Sequence, residues 1–408
     1  MTAKVTTLNN GIRIVTDNRD FNNINMMVMF KAGMINETEE VNGISHFLEH
    51  ALFLGTDEMD SKQIADNIEK LGGNLNAYTS FDHTAFTVNV LPEHWKVGLK
   101  HLADITQKST FPEDKFEKER NVVCEEISRS KDDAESQANR IFLEGAYKGQ
   151  ALGQTILGKE ETIRTISRDT LINWWKKAYA KDNCVVCACG KIDHDEFVKE
   201  VEKLFVDLPD KNELQTFEMK FRCANNTERY PLTQTQVVIG WDAPTALADE
   251  KEILTYKVFD IILDGGMSTR LFQNVREQYG LCYSVYSQMV SLENCGYFAV
   301  QAGIDESNLE KTVRIARETV ESMKTNIKED ELEKAKNVYM YGLGAMSDRA
   351  SALNAFNGLD LLLRGKVTDL EELKKEVKKI TLEDIFAFAN KYITGNYAVG
   401  VLLPQNDQ

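Results

Sequence analysis

Apolar residues along the chain fall into runs of two kinds. Stretches rich in β-branched residues, with partial alternation, lie at 11–18 (GIRIVTDN), 24–32 (INMMVMFKA), 75–80 and 84–91, and they predict strands. Elsewhere the spacing turns helical. Residues 43–54 (GISHFLEHALFL) are apolar on nearly every side, the pattern of a buried helix rather than a surface one. Residues 61–71 predict a second helix, stopped by Gly72 and Gly73. Pro92 opens a helix that runs to residue 108, and Pro112 opens a long one through the 120s and toward the 140s.

The second half repeats this plan. TISRDTLINWWKKAYAKDNCVVCACG (165–190) and KITLEDIFAFANKYITGNYAVGVLLP (379–404) each run from a Ser/Thr helix start, through Lys and Tyr, to Asn and an apolar strand. TQVVIGWDAP (235–244) mirrors the strand at 24–32. A period of roughly 200 residues predicts two related domains rather than a solenoid. The polar, turn-rich stretch 209–230 is the expected linker, which places the domains at 1–208 and 231–408.

With 408 residues, 42% of them hydrophobic, the chain can build sizeable cores. Its net charge of −16 disfavours nucleic acid and anionic membrane surfaces as partners. It would favour basic ligands wherever acidic side chains line a cavity. The first eighteen residues lack a basic stretch followed by an apolar core, so no signal peptide is expected. No apolar window reaches the length of a membrane span. Seven cysteines without framework spacing fit reduced thiols in a cytoplasmic protein. The tightest group is Cys184, Cys187 and Cys189. It has no second Cys-x-x-Cys partner, and its surroundings read as a buried strand, so it is assigned to the core.

Chemistry concentrates in His46-Phe47-Leu48-Glu49-His50. On a helix, residues four apart share a face, so the two imidazoles can reach one metal. Glu49 stands beside that face, placed to take a proton from an activated water. Burying two imidazoles and a carboxylate without partners would cost several kcal/mol, which metal binding offsets. A catalytic zinc needs a third protein ligand and one open position. The helix after Pro112 offers Glu117, Glu119, Glu125 and Glu126. Glu119 and Glu126 lie two turns apart on one face, with Val122, Val123 and Ile127 supplying the apolar side.

The His-x-x-Glu-His order resembles that of the inverzincins. With NGISHFLEHALFLGT (42–56), LGGNLNAYTS (71–80), ERNVVCEEI (119–127), ALGQTILG (151–158) and GGMSTRLFQNVREQYGLCYSVYS (265–287), the chain is identified as similar to the M16 metallopeptidases. Within that family it looks most like the M16B-type bacterial peptidases and the catalytic subunit of the mitochondrial processing peptidase. The resemblance spans both halves.

It implies an α+β fold of two related domains of about 200 residues, each a mainly antiparallel sheet covered by helices. It implies one Zn²⁺ per chain, held by His46, His50 and Glu126, the last standing 76 residues beyond His50. Glu49 would be the general base and Glu119 the carboxylate that orients a ligand. Arg276 and Tyr283 match the family's Arg-(x)6-Tyr pair, which binds substrate carbonyls. Asn76 and Ala77 fall on the family's edge strand, which pairs with the substrate backbone. The implied activity is zinc-dependent hydrolysis of peptides or unfolded segments within a homodimeric chamber. The alternative in the same family is a non-catalytic or heterodimeric scaffold subunit. The glycine-rich loop of the mitochondrial enzyme's partner subunit is absent from this sequence, which leaves presequence specificity unsupported.

Overall fold

The computed structural model describes residues 3–405. The first half runs β1 (Lys4–Thr7), β2 (Arg13–Asn18), β3 (Ile24–Phe30), α1 (Ile44–Ala51), α2 (Ser61–Glu69), β4 (Asn74–Thr79), β5 (Thr84–Val90), α3 (Trp95–Gln107), α4 (Glu113–Ser130), α5 (Ala134–Ala146), α6 (Glu160–Thr165), α7 (Arg168–Ala178), β6 (Cys184–Gly190) and α8 (His194–Leu204). The second half runs β7 (Ala224–Tyr230), β8 (Thr235–Asp242), α9 (Glu250–Asp264), a π-helical turn at Phe272–Glu277, β9 (Cys282–Ser291), β10 (Gly296–Ile304), α10 (Leu309–Ser322), α11 (Glu329–Ser347), α12 (Ala350–Arg364), α13 (Leu370–Lys378), α14 (Leu382–Tyr392) and β11 (Ala398–Pro404).

The fold is α+β, with two mixed sheets covered by helices. The sheets share one plan, and this is the structural form of the sequence repeat. The first is ordered β1-β2-β6-β3-β5-β4 and the second β7-β11-β8-β10-β9. Each has a single parallel pairing, β2 with β6 and β7 with β11. In both, the parallel partner is the strand that follows the repeated helix, α7 or α14. The first sheet adds β1 at its edge.

In the first sheet, the central strands β3 (INMMVMF) and β6 (CVVCACG) are buried at every position. Continuous apolar runs rather than alternation are what a strand covered on both faces requires. Met26, Val28, Phe30, Val186 and Ala188 join the larger core, with Phe47, Leu48, Leu99 and Leu102. Met27, Met29, Val185 and Cys187 meet Leu361 and Leu362 of α12 on the other face. Gly358 lets α12 approach this closely, because a Cβ there would lie 2.8 Å from the Cys187 sulfur. Cys184, Cys187 and Cys189 are therefore core residues, and burial raises all three thiol pKa values.

The compact units follow packing rather than the order of the chain. One comprises Met1–Ile127, Thr155–Phe217 and Ala345–Asp369, the other Ser128–Gln154, Glu218–Gly344 and Leu370–Gln408. A division at 209–230 separates helices from the sheets they cover. In the second unit α5 packs on β7, β11 and β8. Its Phe142 fits against Gly240 and Gly400, where side chains would collide with the ring or its backbone. The stretch expected as linker also contributes β7, whose mostly exposed residues (ANNTERY) hide a sheet-edge strand behind a polar composition. Finally, the helix opened at Pro112 is two helices. α4 ends at Ser130, and Asp133 caps α5 by accepting from the amides of Glu135 and Ser136.

Candidate metal centre

All residues of the centre described next belong to the first unit. Helix α1 starts at Gly43, which is left-handed at φ +92°. A Cβ there would lie 2.7 Å from Gly158 Cα and from the Leu157 carbonyl oxygen, so only glycine fits. Gly43 has no side chain to cap the helix. Glu37 takes that role from outside it. Its carboxylate accepts from the Gly43 amide (2.7 Å), the Ser45 amide (2.9 Å) and the Asn42 side-chain amide (2.9 Å). Glu37 is 1% exposed, and burial pushes its pKa up to about 7 against those hydrogen bonds.

From this anchored start, Ile44, Phe47, Leu48 and Ala51 face the core. His46, Glu49 and His50 face α4 and β4. Helix α4 buries Phe116, Arg120, Val123, Cys124 and Ile127. Its register is fixed by Arg120, which is buried. The guanidinium lies 5.4 Å from the Phe47 ring centre and 5.0 Å from that of Phe116. It also donates to the Ile163 carbonyl and makes a two-pronged contact with Glu117, both at 3.0 Å. Flanking that buried stripe, Glu119 and Glu126 point to the histidines.

Glu126 Oε2 lies 3.7 Å from His46 Nε2 and 3.4 Å from His50 Nε2. Both distances exceed ordinary hydrogen bonds. Ligand atoms bonded to a tetrahedral zinc at about 2.0–2.1 Å stand roughly 3.4 Å apart, so the two spacings are compatible with a shared metal ion. The three residues offer ligand atoms that all lie within 4.8 Å of one another, and they are the one such group among the described residues. Glu119 accepts from His50 Nδ1 at 2.8 Å, which leaves Nε2 as the ring atom free to bind. Burial, then the neighbouring His50, lowers the His46 pKa to about 3, so His46 stays neutral with a lone pair available. For His50, burial is outweighed by the Glu119 hydrogen bond and by Glu49, Glu119 and Glu126, and its pKa rises. Glu49 is not one of the three residues whose ligand atoms converge. Its Oε2 accepts from the Thr79 hydroxyl at 2.7 Å, and burial raises its pKa.

Thr79 ends β4, the edge strand of the first sheet, which pairs only with β5 among the described residues. Asn76 and Ala77 lie on it as expected. The Ala77 amide donates to its neighbour Asn76 Oδ1 at 2.9 Å. Arg276 and Tyr283 belong to the second unit and come together there. The Arg276 guanidinium sits 4.9 Å from the Tyr283 ring centre and 4.6 Å from that of Phe272, and Tyr283 is 80% exposed.

The structure thus gathers His46, Glu49, His50, Glu119 and Glu126 into one cluster beside the Asn76–Ala77 strand. Sequence reasoning missed Glu37, Thr79 and Arg120. Arg120 was visible only as a charged residue inside an apolar stripe. Thr79 and Glu37 sit in segments whose roles depend on contacts 30 and 8 residues away.

The chain matches the family model described as insulinase (peptidase family M16) over residues 13–160, and that described as peptidase M16 inactive domain over 165–339. It is 33% identical to an uncharacterized zinc protease of Bacillus subtilis, YmxG, across 98% of each chain. It is 30% identical to an uncharacterized zinc protease of Rickettsia bellii, again across 98% of each. A solved structure described as a peptidase M16 inactive domain from Pseudomonas fluorescens superposes with a TM-score of 0.91 over all of both chains, at 19% identity, and so shares the fold. Its two sheets, its His-x-x-Glu-His helix and these relatives together establish that the chain belongs to peptidase family M16.

Proposed function

We propose that the protein is a zinc-dependent endopeptidase that hydrolyses peptides or unfolded segments. The observation that carries this is the convergence of His46 Nε2, His50 Nε2 and Glu126 Oε2 beside the half-buried carboxylate of Glu49. His46, His50 and Glu126 would hold one zinc per chain. Bound there, the zinc would supply Lewis-acid activation of the scissile carbonyl and the attacking water. Glu49 accepts the water's proton and returns it to the leaving amine. Thr79, by donating to Glu49 Oε2, fixes which carboxylate oxygen is left for that proton. Glu119 orients His50. Asn76 and Ala77 would pair with an extended substrate backbone, the Ala77 amide exchanging its Asn76 contact for a substrate carbonyl. Arg276 and Tyr283 would bind substrate carbonyls and support the developing oxyanion.

Each chain carries both the metal cluster and the Arg276–Tyr283 pair, so the simplest working assembly is a homodimer in which a second copy supplies that pair. The net charge of −16 would favour basic peptides where acidic side chains line the substrate site. The cysteines form no disulfide among the described residues, which suits a cytoplasmic setting. No described helix is long and apolar enough to cross a membrane. The alternative of a non-catalytic scaffold subunit is disfavoured by the intact ligand set.

Metal analysis of the purified protein should find one zinc per chain, lost on Glu126→Ala. Light scattering should give twice the chain mass. Zinc-free protein after zinc supplementation, or zinc retained by Glu126→Ala, would overturn the assignment of ligands. A monomer that cleaves peptides at full rate would overturn the dimer.

A further inference from the structure

A groove of about 910 Å³ opens in the second unit, and none of the residues assigned to the metal centre or to substrate binding lines it. On one face of the second sheet α10 packs over β8 and β10. It leaves β7 and β11 open beside it. Asn225 and Thr227 of β7, in register with Val399 and Val401 of β11, form the floor. Leu309, Val313, Arg314 and Arg317 of α10 form the wall. The volume is within the range of small-ligand sites, and the open lining mixes apolar side chains with Asn225, Thr227, Glu310, Arg314 and Arg317.

The charges are arranged by sign. Arg317 lies 4.1 Å above the Tyr397 ring and makes no ion pair among the described residues, in a chain with 64 acidic residues against 48 basic ones. Its neighbour Arg314 is shared with Glu318 at 3.2 Å. At the other end Glu310 also lines the groove and has no ion pair among the described residues. Glu310 and Arg317 are seven residues apart on one helix, about 10 Å along its axis. The ammonium and carboxylate of an extended tripeptide stand about 10 Å apart as well.

We propose that this groove binds a short free peptide of about three apolar residues. Its carboxylate lies on the Arg317 guanidinium, fixed in plane by Tyr397, and its ammonium on Glu310. Val313, Val399 and Val401 receive its side chains. Asn225 and Thr227 supply hydrogen bonds to its amides. The choice of a peptide rests on the peptidase reading, since such peptides are what hydrolysis releases, whereas the demand for a zwitterion of this length comes from the groove itself.

Cys223 provides the readout. It is exposed and lines the groove, while the other cysteines are buried or half-buried. The full-length protein would be alkylated with iodoacetamide, and modification of Cys223 followed by mass spectrometry, with Ala-Val-Leu present in three forms. The free tripeptide should protect Cys223 in a saturable way. The C-amidated and N-acetylated forms should each bind about tenfold more weakly, the equivalent of one charge-assisted contact. Arg317→Met should weaken the free peptide to the level of the amide. Glu310→Gln, at an exposed position, should make free and acetylated peptides bind alike. The inference is overturned if the free tripeptide gives no protection at millimolar concentration, or if the amidated form protects as well as the free acid. Protection should persist in Glu49→Gln. A zinc-loaded wild type that cleaves no peptide yet is still protected sinks the peptidase reading alone. An active protein without protection sinks only the groove.

Discussion

Neighbouring residues on α4 divide the labour at the candidate centre. Arg120 turns inward, pinned between the Phe47 and Phe116 rings, and sets the helix register. Glu119 turns the other way to hold His50. Removing Glu119 leaves His50 in place but free to rotate. Glu119→Ala should therefore lower zinc affinity about 10- to 100-fold, measured by competition with a chelating dye, with little change in helix content by circular dichroism. Glu37 acts one step further back, on the α1 start. Glu37→Ala strands two helix amides and the Asn42 amide in a buried site. It should cost about 2–4 kcal/mol in urea unfolding of the zinc-free protein. An unchanged midpoint would show that water replaces those contacts. His46, Glu49 and His50 were legible because one helical turn brings them together. Glu126 is singled out from Glu117, Glu119 and Glu125 on α4 only by the resemblance to M16, since a spacing of seven is equally that of a solvated helix face. Glu37 and Thr79 were not legible, because a carboxylate in a turn and a hydroxyl at a strand end gain meaning only once the chain has folded back on α1.

At the scale of elements, periodicity reported what an element is and not what it packs against. The apolar run of β6 reads as a buried strand, whereas β3, which reads as a strand from partial alternation, is buried at every position as well. β7 failed the same reading, since an edge strand with polar side chains looks like a linker. α9 and β9 carry a further consequence. The Ser287 hydroxyl donates to Asp260 at 2.5 Å, and the Ser287 amide donates to Asp264 at 2.7 Å. Burial raises the Asp260 pKa from 3.8 to about 6. The unfolded carboxyl releases its proton first as pH rises, so this group stabilises the fold below about pH 4 and that contribution is lost as pH passes 6. The change is on the order of 3 kcal/mol at most. Asp260→Asn, which keeps an acceptor for Ser287, should flatten the fall in urea stability between pH 4 and 7. An unaltered pH profile would mean that Asp260 is solvated in solution.

For the whole molecule, the repeat was legible and the exchange of helices was not. A sequence period shows that two halves are alike without showing which sheet receives α5 or α12. Residues 1–208 made alone would expose the β3–β6 face that Leu361 and Leu362 cover, with Met27, Met29, Val185 and Cys187. That fragment should bind a hydrophobic dye and lack a cooperative thermal transition. A sharp transition in the isolated fragment would show that α12 is dispensable.

The central claim is that Glu49 moves the proton for a zinc held by three other residues. Glu49 is none of the ligands, so the two functions can be separated. The direct measurement is zinc content together with cleavage of a basic fluorogenic peptide, in wild type and Glu49→Gln. One zinc per chain in both proteins, with hydrolysis reduced at least about 100-fold in the variant, is the predicted result. Equal hydrolysis by the two proteins, or a wild type that cleaves without zinc, would contradict it.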